Sequence, residues 1–337
     1  MVSITSIYSI TEDSNGRSSE SGTYYDSNIF SSVKSDMTSV YEDMKSNHIS
    51  DVSSIDEKPN EGPDQCAPMY KYKDGSCIPL NLLEQIATEY NKHNRNKIDL
   101  ERISRIKGEN HRKLELVRQL EQRYNTCDNH RCIVNSMKRV LDMNTYEDLK
   151  DSFRPEGPRD NNEWLSNFNI EDFFGQVMKV HTDFIFFGAM PRDFDKLEMY
   201  STRNHDYSKF KKEGKTKFGW VMNLDKHGQG GSHWVAVYGD SELNKIYFFD
   251  STGRRPYKEF RVLMKRMRNQ FSKMNGRKAH MYVNKIPHQQ KNTECGVYSS
   301  YMISKFLDGT GEKYFRNKII RDDVIQNYRK VMFNSKK

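Results

Sequence analysis

The chain has 337 residues with 54 Lys+Arg, 46 Asp+Glu and 35% hydrophobic residues, a balance foreign to collagen-like or disulfide-dense scaffolds. No apolar run approaches the roughly 18 residues that cross a bilayer, and the opening MVSITSIYSITEDSNG lacks the basic start and continuous apolar core of a secretory leader. Five cysteines are few and odd in number, so composition predicts reduced, intracellular thiols, one of them kept for reactivity.

The net charge of +8 averages unlike regions. Residues 1–66 hold 4 Lys+Arg against 12 Asp+Glu, with 16 serines and no tryptophan, which leaves +16 on the remaining 271 residues. The few apolar side chains in this acidic stretch keep neither helical nor strand period, so it is expected to be a disordered, phosphorylatable tail. Residues 67–154 form the next unit. Leu80, Leu83, Ile86 and Ala87, then Leu114, Leu116, Val117, Leu120 and Tyr124, recur at helical spacing and predict a basic helical module. Its cysteines are spaced as Cys66-x10-Cys77 and Cys127-x4-Cys132. That spacing is too loose for a typical zinc site, so small buried hydrophobes are expected and no metal. The module's positive charge reads first as a solvated face, and second as a surface for the phosphate backbone of nucleic acid. The turn-rich Arg154-Pro155-Glu156-Gly157-Pro158-Arg159 is a linker into the final unit, 155–337.

That unit contains all three tryptophans, Trp164, Trp220 and Trp234. Periodicity predicts a helix from Trp164 to Val180 and another from Cys295 to Leu307, closed by Gly309. Between them, residues 232–238 and 245–250 read as strands joined by a polar turn. With that turn centred between Ser241 and Glu242, His233 falls opposite Asp250 on one face. Both faces of the hairpin are apolar, which predicts a sheet packed between helices in an α+β or α/β domain.

A Pro287-led polar loop then enters the second helix, with Asn292 or Thr293 as the expected N-cap and Cys295 in the first turn. Free N–H groups and the helix dipole at that position favour a thiolate nucleophile. Gly296 is expected to leave room for a substrate backbone, and Gln289 or Gln290 to turn an amide toward an oxyanion. Taken singly these residues have ordinary readings: a buried thiol, a core histidine, a strand-ending aspartate. In the order His, Asp, Gln, Cys they describe nucleophilic catalysis. Other motifs fail on spacing. Gly214-Lys215-Thr216 lacks the upstream glycine of a phosphate loop, and Gly228-x-Gly230-Gly231 precedes a strand without leading into a helix. Gly230-Gly231-Ser232 has the form of a self-cleavage site but is expected to be inaccessible.

Ser232-His233-Trp234, Asp250-Ser251 and Gln289-Gln290-x3-Glu294-Cys295-Gly296, with the upstream Trp164-Leu165-Ser166-Asn167, together resemble the cysteine-protease clan of the SUMO/Ulp-type proteases and the adenovirus endopeptidase. The wording Lys-Asn-Thr-Glu-Cys-Gly and the helical extension resemble the core-processing proteases of large cytoplasmic DNA viruses. The resemblance implies an α+β Ulp/adenain-like domain, a central mixed sheet between helices, behind an N-terminal helical extension. It implies a cysteine endopeptidase that cuts viral core or capsid precursors at Gly-Gly-Xaa during virion maturation, in the host cytoplasm and the virion, with the basic module available to a core shell or nucleic acid; no bound cofactor and no membrane partner are expected, and activation by DNA or a peptide, for which the adenovirus endopeptidase is the precedent, stays open. His233, Asp250 and Cys295 would form its triad, Gln289 ahead of Gln290 its oxyanion donor, and Trp164 and Trp234 the walls of a channel passing only glycines. A SUMO- or ubiquitin-like isopeptidase would share every catalytic residue, and a non-catalytic scaffold is the remaining alternative.

Overall fold

The computed structural model describes residues 66–334, apart from 69, 71, 72, 128 and 161. The acidic stretch expected to be disordered therefore lies outside the described residues, except for Cys66.

The helical module contains α1 (Leu80–His93), α2 (Leu100–Ser104), α3 (Glu109–Arg123), α4 (His130–Ser136) and α5 (Met143–Lys150). The predicted apolar stripes of α1 and α3 meet in one core with Ile86, Leu116, Leu120, Val134 and Phe153 buried, but Leu114, expected in the α3 stripe, is exposed. Caps at Asp99, Asn129 and Asp142 accept backbone N–H bonds and so start the three shorter helices. The expectation of reduced thiols is corrected here. Cys66 is joined to Cys77, and Cys127 to Cys132. An antiparallel turn between Lys73 and Ser76 folds the chain back on itself inside the first pair, and the Asn129 cap does so inside the second. A total of five cannot distinguish four paired cysteines and one free from five free ones. Among the described residues the free one is Cys295.

Beyond the linker come α6 (Asn167–Val180), β1 (Phe184–Met190), α7 (Tyr207–Lys212), β2 (Lys217–Asn223), β3 (Trp234–Asp240), β4 (Lys245–Phe249), α8 (Lys258–Asn275), β5 (His280–Val283), α9 (Cys295–Leu307), α10 (Glu312–Asn317) and α11 (Asp322–Met332). The five strands lie in sequence order, parallel at β1–β2 and β4–β5 and antiparallel between. The sheet is mixed and lies among helices, as the α+β expectation requires. Strand alternation divides its side chains. Trp234, Ala236 and Tyr238 face a core shared with α6, α9 and α11, while Val235 and Val237 face a second core with Trp220 and the buried stripe of α8.

The hairpin register differs from expectation by two residues. Ala236 pairs with Phe249 and Asp240 with Lys245, so Asp250 falls in line with Val235 rather than His233. The turn sits further along the chain because Asp240 Oδ1 accepts the N–H groups of Glu242 and Leu243 and Asn244 takes a left-handed φ of 59°. A slip of two preserves the face, so the diagonal pair still meets.

The module and the sheet unit are joined by hydrogen bonds. Gln176 donates to Phe153 O, Arg154 to Lys330 O, and the Asn334 amide to Arg154 O.

Candidate active site

His233 immediately precedes β3, and Asp250 immediately follows β4. Adjacent strand ends therefore bring the two side chains together at one edge of the hairpin. His233 Nε2 lies 2.8 Å from Asp250 Oδ1. A carboxylate only accepts, so Nε2–H donates and Nδ1 is left for the thiol. The same oxygen accepts the Thr252 N–H and hydroxyl at 2.8 and 2.7 Å. Burial pushes the Asp250 carboxyl up, but the His233 hydrogen bond and charge, with Thr252, outweigh it and hold the group below its ordinary range. Burial likewise opposes charge on His233, yet its hydrogen bonds and charge interactions with Asp250 and Cys295 raise the imidazole to about 10.

Cys295 is buried at the first position of α9, where its thiol interacts electrostatically with His233. The N-cap is Glu294, not Asn292 or Thr293, and its side chain makes no capping bond. Its carboxylate instead takes Nε and Nη2 of Arg329 at 3.1 and 3.0 Å, with both side chains buried. A second anchor lies on the same helix α11. Asp322 accepts the N–H groups of Gln290 and Lys291 and the hydroxyl of Tyr298. The loop before Cys295 is thus pinned from beneath by two charged residues of the C-terminal helix.

Gln289 is buried against the Asp250–Ser251 corner. Its Oε1 accepts the Ser251 hydroxyl at 2.6 Å and one N–H of Nε2 is given to Lys291 O at 2.6 Å, while the backbone N–H groups of His288 and Gln289 both donate to Ser251 O. Gln290 is exposed. Trp234 is buried and donates its indole N–H to Leu165 O at 2.9 Å, which ties the segment carrying half-buried Trp164 to the start of β3. Trp164 itself lies three residues before α6, whose cap is Ser166 in a capping box with Asn169.

A Cβ at Gly296 would approach Leu165 Cβ and Trp234 Cδ1 to 3.1 Å each, so the absence of a side chain there serves close packing of this same segment. The Gly230-Gly231-Ser232 stretch, expected to be inaccessible, is exposed at Gly230 and Ser232 because it forms the loop between β2 and β3. Asp322, Arg329 and His288 had no sequence signal. Asp322 and Arg329 belong to an amphipathic helix, and only the packing shows that they turn inward.

Residues 221–337 match the model of the Ulp1 protease family, C-terminal catalytic domain. A putative thiol protease of Acanthamoeba polyphaga mimivirus is 27% identical over 287 residues, spanning 80% of this chain and 93% of that protein. The SUMO-1 cysteine protease of African swine fever virus is 28% identical over 229 residues, spanning 61% of this chain and 83% of that protein. The crystal structure of the African swine fever virus protease superposes with a TM-score of 0.62 at 24% identity, covering 84% of this chain and all of that one, and so shares its fold.

Proposed function

From a chain that carries a catalytic domain of the Ulp1 cysteine protease family and has viral thiol proteases as relatives, we propose a cysteine endopeptidase that cleaves viral core or capsid precursor polyproteins at Gly-Gly-Xaa sites during virion maturation, in the host cytoplasm and the virion. The observation that carries the catalytic part is the His233–Asp250 hydrogen bond, with the one free cysteine among the described residues close enough to raise the imidazole.

His233 Nδ1 takes the Cys295 proton, and Asp250 fixes the ring and steadies its positive charge. The thiolate attacks the scissile carbonyl carbon. The carbonyl electrons move to oxygen, where the Cys295 N–H and the remaining Nε2 hydrogen of Gln289 would meet them. As the tetrahedral adduct collapses, the C–N bond breaks and the imidazolium gives its proton to the departing amine. Water, deprotonated by His233, then resolves the thioester and returns the thiol. Gln289 is preferred over Gln290 because it is buried at the Asp250 corner.

Selection for glycine is assigned to Trp164 and Trp234, whose segments are tied through the Leu165 carbonyl, since a channel walled by two indoles would pass only chain without side chains. The isopeptidase alternative has one supporting observation, the SUMO-1 protease relative. The test compares a fluorogenic Gly-Gly-Xaa peptide and viral precursor with a SUMO conjugate, using wild type and Cys295→Ala. Precursor cleavage lost by a factor of about 10⁴ or more in the variant is expected. Cleavage of the conjugate alone would move the assignment to isopeptidase, and unchanged processing by Cys295→Ala would leave a scaffold.

A further inference from the structure

The obvious place to look for a polyanion contact is the basic helical module, but the charge count points elsewhere. Residues 67–154 hold 17 Lys+Arg against 13 Asp+Glu, and several of those cations are already paired, as in Arg102–Glu115, Arg118–Glu115 and Arg105–Glu101. Residues 254–285 hold 11 Lys+Arg and a single acid, Glu259. That segment is α8 with its two flanks.

The geometry makes this a linear array. At 3.6 residues per turn, Lys258, Arg261, Lys265 and Arg268 fall within an arc of roughly 80° on α8, about 15 Å from end to end. Phe260, Leu263, Met264, Met267 and Phe271 occupy the opposite arc and are buried. Arg254 and Arg255 extend the stripe at one end, and Lys273, Arg277 and Lys278 at the other, all exposed. The nearby acids are already engaged, Glu259 with Arg192 and Asp195 with Arg266. Among the described residues no carboxylate pairs with the stripe itself.

We propose that this α8 stripe is a sequence-independent docking surface for a nucleic-acid phosphate backbone. An 18-residue helix runs about 27 Å, over which a duplex presents on the order of 16 phosphates. The stripe offers cations at matching intervals and no acceptor groups or stacked aromatic rows to read bases, so contact would be to backbone alone. A lipid surface fits less well, because the apolar face of α8 is spent on the core and nothing remains to enter a bilayer. The stripe packs on the face of the sheet opposite α9, so a bound polyanion would hold the protein near its substrate without covering Cys295.

The test uses the full chain and a fluorescent 24-base-pair duplex, with binding followed by anisotropy from 50 to 200 mM salt. Replacing Lys258, Arg261, Lys265 and Arg268 together by Gln is expected to weaken binding more than tenfold at 50 mM salt and to flatten the slope of log K against log salt by roughly 3–4. Cleavage of a short peptide and the Tm of the variant should stay near wild type, which shows that it folds. Replacing the exposed module residues Arg95, Lys97, Lys107 and Arg139 by Gln serves as the comparison and should change the slope less. An equal or larger loss in the module variant overturns the proposal, as does an unchanged slope in the α8 variant. Stripe-dependent capture of polyglutamate or of anionic vesicles, with duplex binding unaffected, overturns it in favour of an acidic protein or a membrane.

Discussion

On the α9 side of the sheet and at the adjoining strand ends ionisable groups are taken inside: Glu294, His288, Asp322 and Arg329 are buried and meet one another or the loop before Cys295, and buried Asp250 meets His233. On the α8 face the interior is Trp220, Phe248, Phe260 and Met267, and the cations lie on the solvent side of the helix. The same strands supply both faces, through alternate residues. Charge in the interior must be paired or hydrogen-bonded to persist, and it therefore fixes geometry. Charge on the exposed stripe has no carboxylate partner among the described residues, is screened and is free to meet a partner. Substitutions on the first face should accordingly change rates and stability in steep, specific ways, and those of the exposed cations on the second should change salt-dependent binding alone.

The largest effect expected of a change that leaves Cys295 and His233 in place is that of Asp250→Asn. Asp250 and Cys295 hold the His233 imidazolium up to about 10, so the alkaline limb of kcat/KM should lie well above neutral pH. An amide at position 250 removes the charge and disfavours the Nε2–H tautomer, and kcat/KM should fall by about 10³ to 10⁴ with the alkaline limb moving down toward the ordinary histidine range. A pH–rate profile checks it. A limb that stays where it was would mean that buried charge on this face is not tuning the histidine.

Next comes the Glu294–Arg329 pair. Arg329→Met leaves Glu294 buried without its cation, which should destabilise by about 3–5 kcal/mol in urea unfolding. The double variant Glu294→Gln/Arg329→Met should recover much of that, because no bare charge remains. The more informative readout is kinetic. If the pair positions the Cys295 turn, the double variant will regain stability while kcat stays depressed and KM changes little. Recovery of both together would reduce the pair to a structural role and weaken the contrast between the faces.

Much of the first face was legible in the sequence because its parts carry local signals. The strand runs, the helix entry at Cys295 and the Trp164 segment each announce themselves by period or motif, and the His233–Asp250 contact survives an error of two in register because side-chain direction repeats every two residues. What was not legible depends on long-range packing. Asp322 and Arg329 come 27 and 34 residues after Cys295 and look like ordinary surface charges until α11 docks. Gly296 was read for substrate clearance, yet its closest neighbours are Leu165 and Trp234, and no local pattern predicts which segment will lie against a helix start. The α8 stripe was present in the composition all along, hidden by averaging against Asp and Glu elsewhere in the chain.

The smallest effect concerns His288, one residue before Gln289. Its ring is fully buried and stacks on Phe249, and Nδ1 accepts the Ile320 N–H at 3.1 Å. Burial alone lowers the imidazole from 6.5 to about 4. The folded protein thus keeps the ring neutral through a range where the unfolded chain protonates it. Stability contributed by this group is complete above about 6.5 and is lost as pH falls toward about 4, a loss of about 2–3 kcal/mol.

His288→Asn keeps an acceptor for the Ile320 amide but cannot take up a proton in this range. Between pH 7 and 4 its urea midpoint should decline less than that of wild type, even though the lost stacking makes it less stable at neutral pH. His205 supplies the counterpart on the α8 face, where burial also lowers the ring to about 4 against the pull of Asp195. That ring is only partly enclosed, and His205→Asn should flatten the acid limb less because solvent screens more of its charge. Parallel declines for wild type and His288→Asn would place the acid sensitivity outside this loop and remove one of the differences drawn between the two faces.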